Sequence, residues 1–317
     1  MNTLDELLLK KSLAGTYDDL PPRIKVHTYT HKHLDKTIKS KFFYIEFKGH
    51  TPNVTDLVKF LIHKLVQYCI PKRERLDALA YGNATGDSRL INELHEKAKK
   101  LFITAKLQQK RSGEPAEVLL FTLLEGYLQA PQVVAKMYLK TDPQMPTYGA
   151  DGIHVMLTED QRVGMIWGEA KLYQNLNAAI PQAVQSLHQI IKERQSGDCR
   201  DVDLVRDHNT IQNENLRSAV IDIFNPYSDA GKNMVDIYAS FVGFDYQKLV
   251  DCKSEDDRQN FFNEYTDLIK TACESFQNCI KEQGLQEIEF IFLLLPFDSV
   301  KNFREAFFKE IGLENVQ

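Results

Sequence analysis

Residues 162–173 read RVGMIWGEAKLY, an apolar run that carries Glu169 and Lys171 two positions apart near its end. Side chains along a strand alternate between its faces, so these two charges share one face, a few ångströms apart. An acid and an amine in a stretch otherwise as apolar as VGMIW are unfavourable unless they are paired, hydrated or bound to a metal. Upstream, Asp151 stands in YGADG at the mouth of the preceding predicted strand, 152–157, where neighbouring glycines let the backbone bend and approach a ligand closely. A hairpin through the intervening turn TEDQ places Asp151 beside Glu169.

Outward from this hairpin the pattern predicts a compact α/β unit. A helix opened by Ser112 and Pro115 runs to about Leu128, with leucines giving it an apolar face. A strand is expected over 132–141, before the two strands of the hairpin. After them an amphipathic helix spans 175–195, with Pro181 in its first turns as a candidate for its true start. A charged loop follows at 196–216, then a strand at 234–244, a helix at 256–282, a strand at 287–297 and a short last helix. Ahead of Ser112-Gly113 lie strands at 23–33 and 41–48, a helix over 53–70 ended by Pro71, a polar stretch at 82–88 and a basic helical segment at 89–111. The expected architecture is α/β, with a mixed central sheet flanked by helices. Its division falls between a basic N-terminal α+β region, 1–112, and a second unit, 113–317.

Composition narrows the functional classes. The 317 residues are 43 % apolar and 26 % charged, ordinary for a globular chain able to bury a sizeable core. The opening MNTLDELLLKKS lacks a basic leader and a small-residue cleavage site and reads as a capped helix, and the longest apolar run, 288–297, is about half the ~20 residues of a membrane helix. Five cysteines without CxxC spacing fit a reducing compartment, so a cytoplasmic protein with structural thiols is expected. The net charge of −5 argues against a protein that coats nucleic acid, yet it is unevenly distributed. Residues 1–112 hold 21 basic against 12 acidic side chains, and residues 113–317 hold 18 against 32. Contact with a polyanion therefore falls to the first part or to a partner, unless the charge is simply a solvated surface.

Asp151, Glu169 and the main-chain carbonyl of Ala170 make an all-oxygen set suited to Mg²⁺ or Mn²⁺, with positions left for water and a phosphate oxygen. Lys171 can then orient or help deprotonate the attacking water and offset charge on a phosphorane-like transition state. The same residues admit a blander reading, in which Glu169 and Lys171 are a surface pair on an edge strand and Asp151 is a turn residue.

Helix, strand, strand beginning with Asp, strand carrying Glu-x-Lys and helix, in the order found from Glu114 to Gln195, resembles the core of the PD-(D/E)xK restriction-endonuclease-like nucleases. That resemblance implies that an acid on the leading helix joins the site. Glu117 is the candidate, with Glu114 and Glu125 as alternatives. The proline that precedes the Asp in those nucleases is replaced here by Ala150. Over a longer span, GEPAE at 113–117, YGADGIH at 148–154 and WGEAK at 167–171 are similar to the HamA family, the nuclease subunits of Hachiman anti-phage defence systems. Membership would imply a bacterial DNase working with a superfamily 2 helicase subunit, HamB, which restrains it until phage or damaged DNA is sensed.

Other residues invite weaker assignments. His154 belongs to the opposite side of the pleat from Asp151 and suits core packing better than the site. Lys136 and Lys140 could touch phosphate or be solvated, and Gln182 and Gln185 could orient backbone or line an ordinary helix surface. His27, His31 and His33, with Tyr29, share a strand face but lack an acid or thiol to complete a metal set. Trp167 suits the core beside the site. Two other functions fit the sequence: a silent, nuclease-like scaffold that binds and regulates a helicase, and a Mg²⁺-dependent hydrolase of small nucleotides. The second lacks a Gly-rich phosphate loop.

Overall fold

The protein is seen in a computed structural model that describes residues 6–29, 34–109, 114–139, 149–196, 200–225 and 228–313. The predicted hairpin is present as β5 (Gly152–Leu157) and β6 (Val163–Tyr173), which pair antiparallel with Gly152 opposite Gly168. Its turn is held by Thr158, whose amide donates to the Arg162 carbonyl at 3.0 Å while its hydroxyl accepts from the Arg162 amide at 2.9 Å. Beyond β6 the sheet continues in parallel through β7 (Met234–Asp245), β8 (Glu289–Phe297) and β2 (Ile38–Ile45), and closes with β1 (Ile24–His27) antiparallel to β2. The order is thus β1-β2-β8-β7-β6-β5. The sheet draws strands from both sides of Ser112-Gly113, a turn that itself lies outside the described residues.

The central parallel strands are covered on both faces, which is why β8 reads as a nearly unbroken apolar run. One face carries Ile166, Ala170 and Leu172 of β6. It packs against α2 (Val54–Cys69), α5 (Glu114–Leu128) and α12 (Val300–Glu310). The other carries Met165 and Trp167 and packs against α7 (Leu176–Gln195) and α11 (Glu255–Glu282). Two buried clusters therefore sandwich one sheet, the mixed α/β arrangement expected. Asn53 caps α2 and Asn175 caps α7. Among the described residues no helix is long and apolar enough to cross a membrane.

Several expectations are corrected. The strand expected at 132–141 meets β5 only through a single bridge, Gln132 opposite His154, and the chain then turns into the short helix α6 (Lys136–Leu139). The Val133 amide donates to the Ile153 carbonyl at 2.8 Å within that bridge, while the Gln132 amide turns away to Glu125 Oε1 at 2.8 Å. The amine of Lys136 is drawn inward and carries the backbone off the sheet edge. Pro181 does not start α7; it lies inside a helix that begins at Leu176. The charged loop at 196–216 holds helix α8 (Arg200–Asp207) and the start of α9 (Glu214–Ile223). The polar stretch at 82–88 includes the end of α3 (Lys72–Thr85), a helix that buries only Ala78 and so has no apolar period to betray it. Four cysteines, Cys69, Cys252, Cys273 and Cys279, are free thiols; Cys199 lies outside the described residues.

Candidate active site

Asp151 immediately precedes β5, one residue before the pair Gly152–Gly168, and is held against β6 at Gly168 and Ala170. Its amide donates to the Gly168 carbonyl at 2.7 Å, and its Oδ2 accepts from the Ala170 amide at 2.9 Å. The carboxylate thus takes the place that the next residue of a longer β5 would fill. N–H and C=O of one strand residue face the same edge, so the Ala170 carbonyl is directed toward the side where Asp151 stands. Gly168 makes this approach possible from the other face: a Cβ there would lie 2.8 Å from Leu120 Cδ2, so only glycine lets α5 settle this close to the hairpin.

Glu169 and Lys171 share the face of Trp167, as period two requires, and Lys171 Nζ lies 2.5 Å from Glu169 Oε1. Glu169 is 7 % exposed. Burial alone would pull the Lys171 ammonium down, but the charge of Glu169, their hydrogen bond and the charge of Asp151 hold it above the ordinary lysine value. Pairing with Glu169 thus favours the protonated form of Lys171 in this arrangement. Glu169 and Lys171 lie in the carboxyl-terminal half of β6, the end of parallel strands at which open α/β sheets present their clefts.

The three helix acids part company. Glu117 is buried and its Oε2 accepts from Tyr68 Oη at 2.6 Å. Tyr68 is held well above its ordinary value, first by burial, then by the charge and hydrogen bond of Glu117, with Asp151 a smaller contributor. Glu117 and Asp151 both lie within electrostatic reach of this phenol. Glu125 is committed elsewhere: it accepts from the amides of Ala14 at 2.7 Å and Gln132 at 2.8 Å and from Tyr17 Oη at 2.8 Å. Burial pushes it up to about 7 despite these donors. The side chain of Glu114 lies outside the described residues.

The donor set fits a divalent cation of the Mg²⁺ type. Among the described residues no three His, Cys, Asp or Glu side chains gather into a cage. Mg²⁺ needs no such cage, since it keeps several waters and is bound through one or two carboxylates plus substrate phosphates. Asp151, Glu169 and the Ala170 carbonyl supply that much.

Sequence reasoning missed the device that holds the loop before Asp151. Lys136 is neither solvated nor aimed at a phosphate position: it is buried, its Nζ 2.5 Å from the Ala150 carbonyl and 3.0 Å from Asp201 Oδ1. Asp201 Oδ2 accepts from the Ala150 amide at 2.8 Å. A buried lysine with a partner from α8 has no local signal; only the Lys136 position within an apolar run hinted at it. Gly149, at φ +108°, lets the chain pass against Asp201, whose Oδ2 would lie 2.5 Å from a Cβ at that position.

The remaining candidates scatter. His154 is fully buried beside Phe121, with Nδ1 2.8 Å from the Ala130 carbonyl, and burial lowers it to about 4, so it packs the core as a neutral ring. Gln182 and Gln185 are exposed on α7. His27 bonds Thr266 Oγ1 at 2.9 Å and stacks on Phe262, and Tyr29 lies against Phe42. His31, His33 and Lys140 lie outside the described residues. Trp167 is buried, donates from Nε1 to Asp236 Oδ1 at 2.7 Å and carries Arg194 over its ring.

Compared with known proteins, the chain matches the family model of HamA over residues 22–311, a span that includes every residue named at the site. No curated protein matches it.

Proposed function

The chain belongs to the HamA family, a component of Hachiman anti-phage defence, and from that premise we propose that it is a metal-dependent DNA endonuclease acting with a helicase subunit. The observation that carries the reading is the meeting of Asp151, Glu169 and Lys171 at one sheet edge, with the Ala170 amide bonded to Asp151 Oδ2 at 2.9 Å. Asp151, Glu169 and the Ala170 carbonyl are the groups that would hold Mg²⁺ or Mn²⁺, with Glu117, bonded to Tyr68, as the acid from the leading helix. When bound, such a cation polarises a phosphate oxygen and lowers the pKa of a water.

The chain's own residues do the rest. Asp151 is aimed by two hydrogen bonds to β6, so its carboxylate is set before any ligand arrives. Lys171, held protonated beside Glu169, turns from that carboxylate to the substrate, where its ammonium orients the attacking water and offsets charge building on the phosphoryl oxygens. The acidic 113–317 region that holds these residues repels a polyanion, so DNA is brought by the basic 1–112 region or by a superfamily 2 helicase of the HamB kind.

The test is cleavage of plasmid and linear DNA with Mg²⁺, by the chain alone and with its helicase and ATP. Asp151→Ala and Glu169→Ala serve as controls. Cutting that requires the metal and is lost in both variants is the expected result. Folded protein that cuts nothing under either condition overturns the reading in favour of a scaffold that binds the helicase.

A further inference from the structure

Ser240 lies on β7 in register with Glu169 on β6 and Phe292 on β8. Neighbouring strands stand roughly 5 Å apart, so Ser240 and Glu169 are side by side. They also share a face. Tyr238 and Val242, two residues either side of Ser240, pack into the cluster that holds Met165 and Trp167, whereas Ala239 and Phe241 pack into the other. Ser240 is fully buried, and among the described residues its hydroxyl has no hydrogen-bond partner. The residues that α7 buries over this face are all apolar. Of the four side chains that border Ser240 in the sheet, Glu169, Tyr238, Val242 and Phe292, only Glu169 offers a charged acceptor.

A hydroxyl stripped of water and left unbonded is unfavourable, a strain that a packed strand sheds by having alanine at such a position. The hydroxyl makes sense if the carboxylate it would bond is drawn away from it in the state described. Glu169 is turned toward Lys171, whose Nζ lies 2.5 Å from Oε1.

We propose that Ser240 is a positioning residue for Glu169: its hydroxyl donates to the Glu169 carboxylate when Lys171 leaves it for the substrate. Hydroxyl and ammonium take turns on one carboxylate. In the resting arrangement Lys171 neutralises Glu169. In the working arrangement Ser240 keeps the carboxylate turned toward the sheet edge, where Asp151 and the Ala170 carbonyl complete the cation-binding set. This rests on the nuclease reading.

The test is Mn²⁺ titration by calorimetry on the full chain, with the unfolding midpoint of each metal-free protein measured beside it. Ser240→Ala removes the hydroxyl, and Ser240→Cys keeps nearly the same volume with a much weaker donor. Both variants are expected to bind Mn²⁺ about 5-fold more weakly, while the metal-free midpoint stays level or rises because an unbonded hydroxyl has gone. Wild-type affinity in both variants overturns the proposal, and so does a loss in Ser240→Ala alone that tracks a lowered midpoint, which marks a packing role. Wild-type protein that binds no Mn²⁺ overturns the nuclease reading and the role of Ser240 with it. Wild-type binding abolished by Glu169→Ala but indifferent to Ser240 overturns the inference alone.

Discussion

Lys136 and Asp201 form an ion pair 3.0 Å long in which both side chains are less than a tenth exposed, and each also grips Ala150, one at its carbonyl and the other at its amide. Ala150 immediately precedes Asp151. Two helices from opposite sides of α7 in the sequence, α6 and α8, are thereby tied to the backbone just before Asp151.

Breaking a buried pair by removing one member leaves an uncompensated charge, worth about 3–5 kcal/mol. Lys136→Met and Asp201→Asn are each expected to lower the unfolding free energy by that order. The double variant should lose clearly less than the sum, by more than about 1 kcal/mol, because neither charge is then stranded. Chemical denaturation of the four proteins checks this, and additive losses would contradict the latch.

Gly149 and Gly86 both have positive φ, at +108° and +72°, but only Gly149 is crowded. Gly86→Ala meets open space and is expected to lower stability by about 1 kcal/mol through backbone conformation alone. Gly149→Ala must also displace Asp201, so it is expected to lose more stability than that and to lose Mg²⁺-dependent cleavage. Thermal unfolding and plasmid nicking on the two variants separate the effects.

Lys171 pairs with the carboxylate of Glu169 that the proposed function gives to the cation. Lys171→Met is therefore expected to bind Mn²⁺ several-fold more tightly than wild type while cutting DNA at least about 100-fold more slowly. Calorimetry and a cleavage assay on one preparation give both numbers. Weaker binding in this variant would show that the ammonium supports the cation instead of competing with it.

Stability against pH carries two opposed contributions. Glu125 rises from 4.5 to about 7 on burial, so the folded chain holds its proton longer than the unfolded one and stability falls as pH rises from about 4.5 to 7. His154 falls from 6.5 to about 4 on burial, so the unfolded chain takes the proton first and stability falls as pH drops from 6.5 toward 4. Each is on the order of 3 kcal/mol, and they offset one another between about pH 4.5 and 6.5. Glu125→Gln is expected to leave stability rising with pH across that window, and His154→Gln to leave it falling. Urea unfolding at about pH 5, 6 and 7 reads the slopes, and like slopes in both variants would contradict the assignment.

Much of this fold lies open in local pattern. The β6 run, the β8 run and the amphipathic periods of α2, α7 and α11 each carry their own signal, and Glu-x-Lys at period two places Glu169 and Lys171 together without further information. Residues 132–141 mislead because VVAKMYL favours a strand, while the partners that decide their fate, Glu125 and Asp201, lie in other elements. For the same reason the Tyr68–Glu117 bond and the place of Ser240 beside Glu169 are invisible in sequence: each joins residues dozens of positions apart. The run 196–216 looks like a loop because charge obscures the few apolar residues, such as Val205 and Leu216, that dock α8 and α9.

β8 is the last strand in chain order, yet it lies between β2 and β7 near the middle of the sheet. As the chain leaves the ribosome, β1 and β2 are made early and must wait for residues near 290 before they can join the strands that carry Asp151 and Glu169. Contacts so distant in sequence form slowly and late. Until they do, the β6–β7 pair has one bare parallel edge and the site has no finished sheet to stand on. A chain cut short before residue 289 lacks β8 and leaves β1 and β2 with no strand to join them to β7.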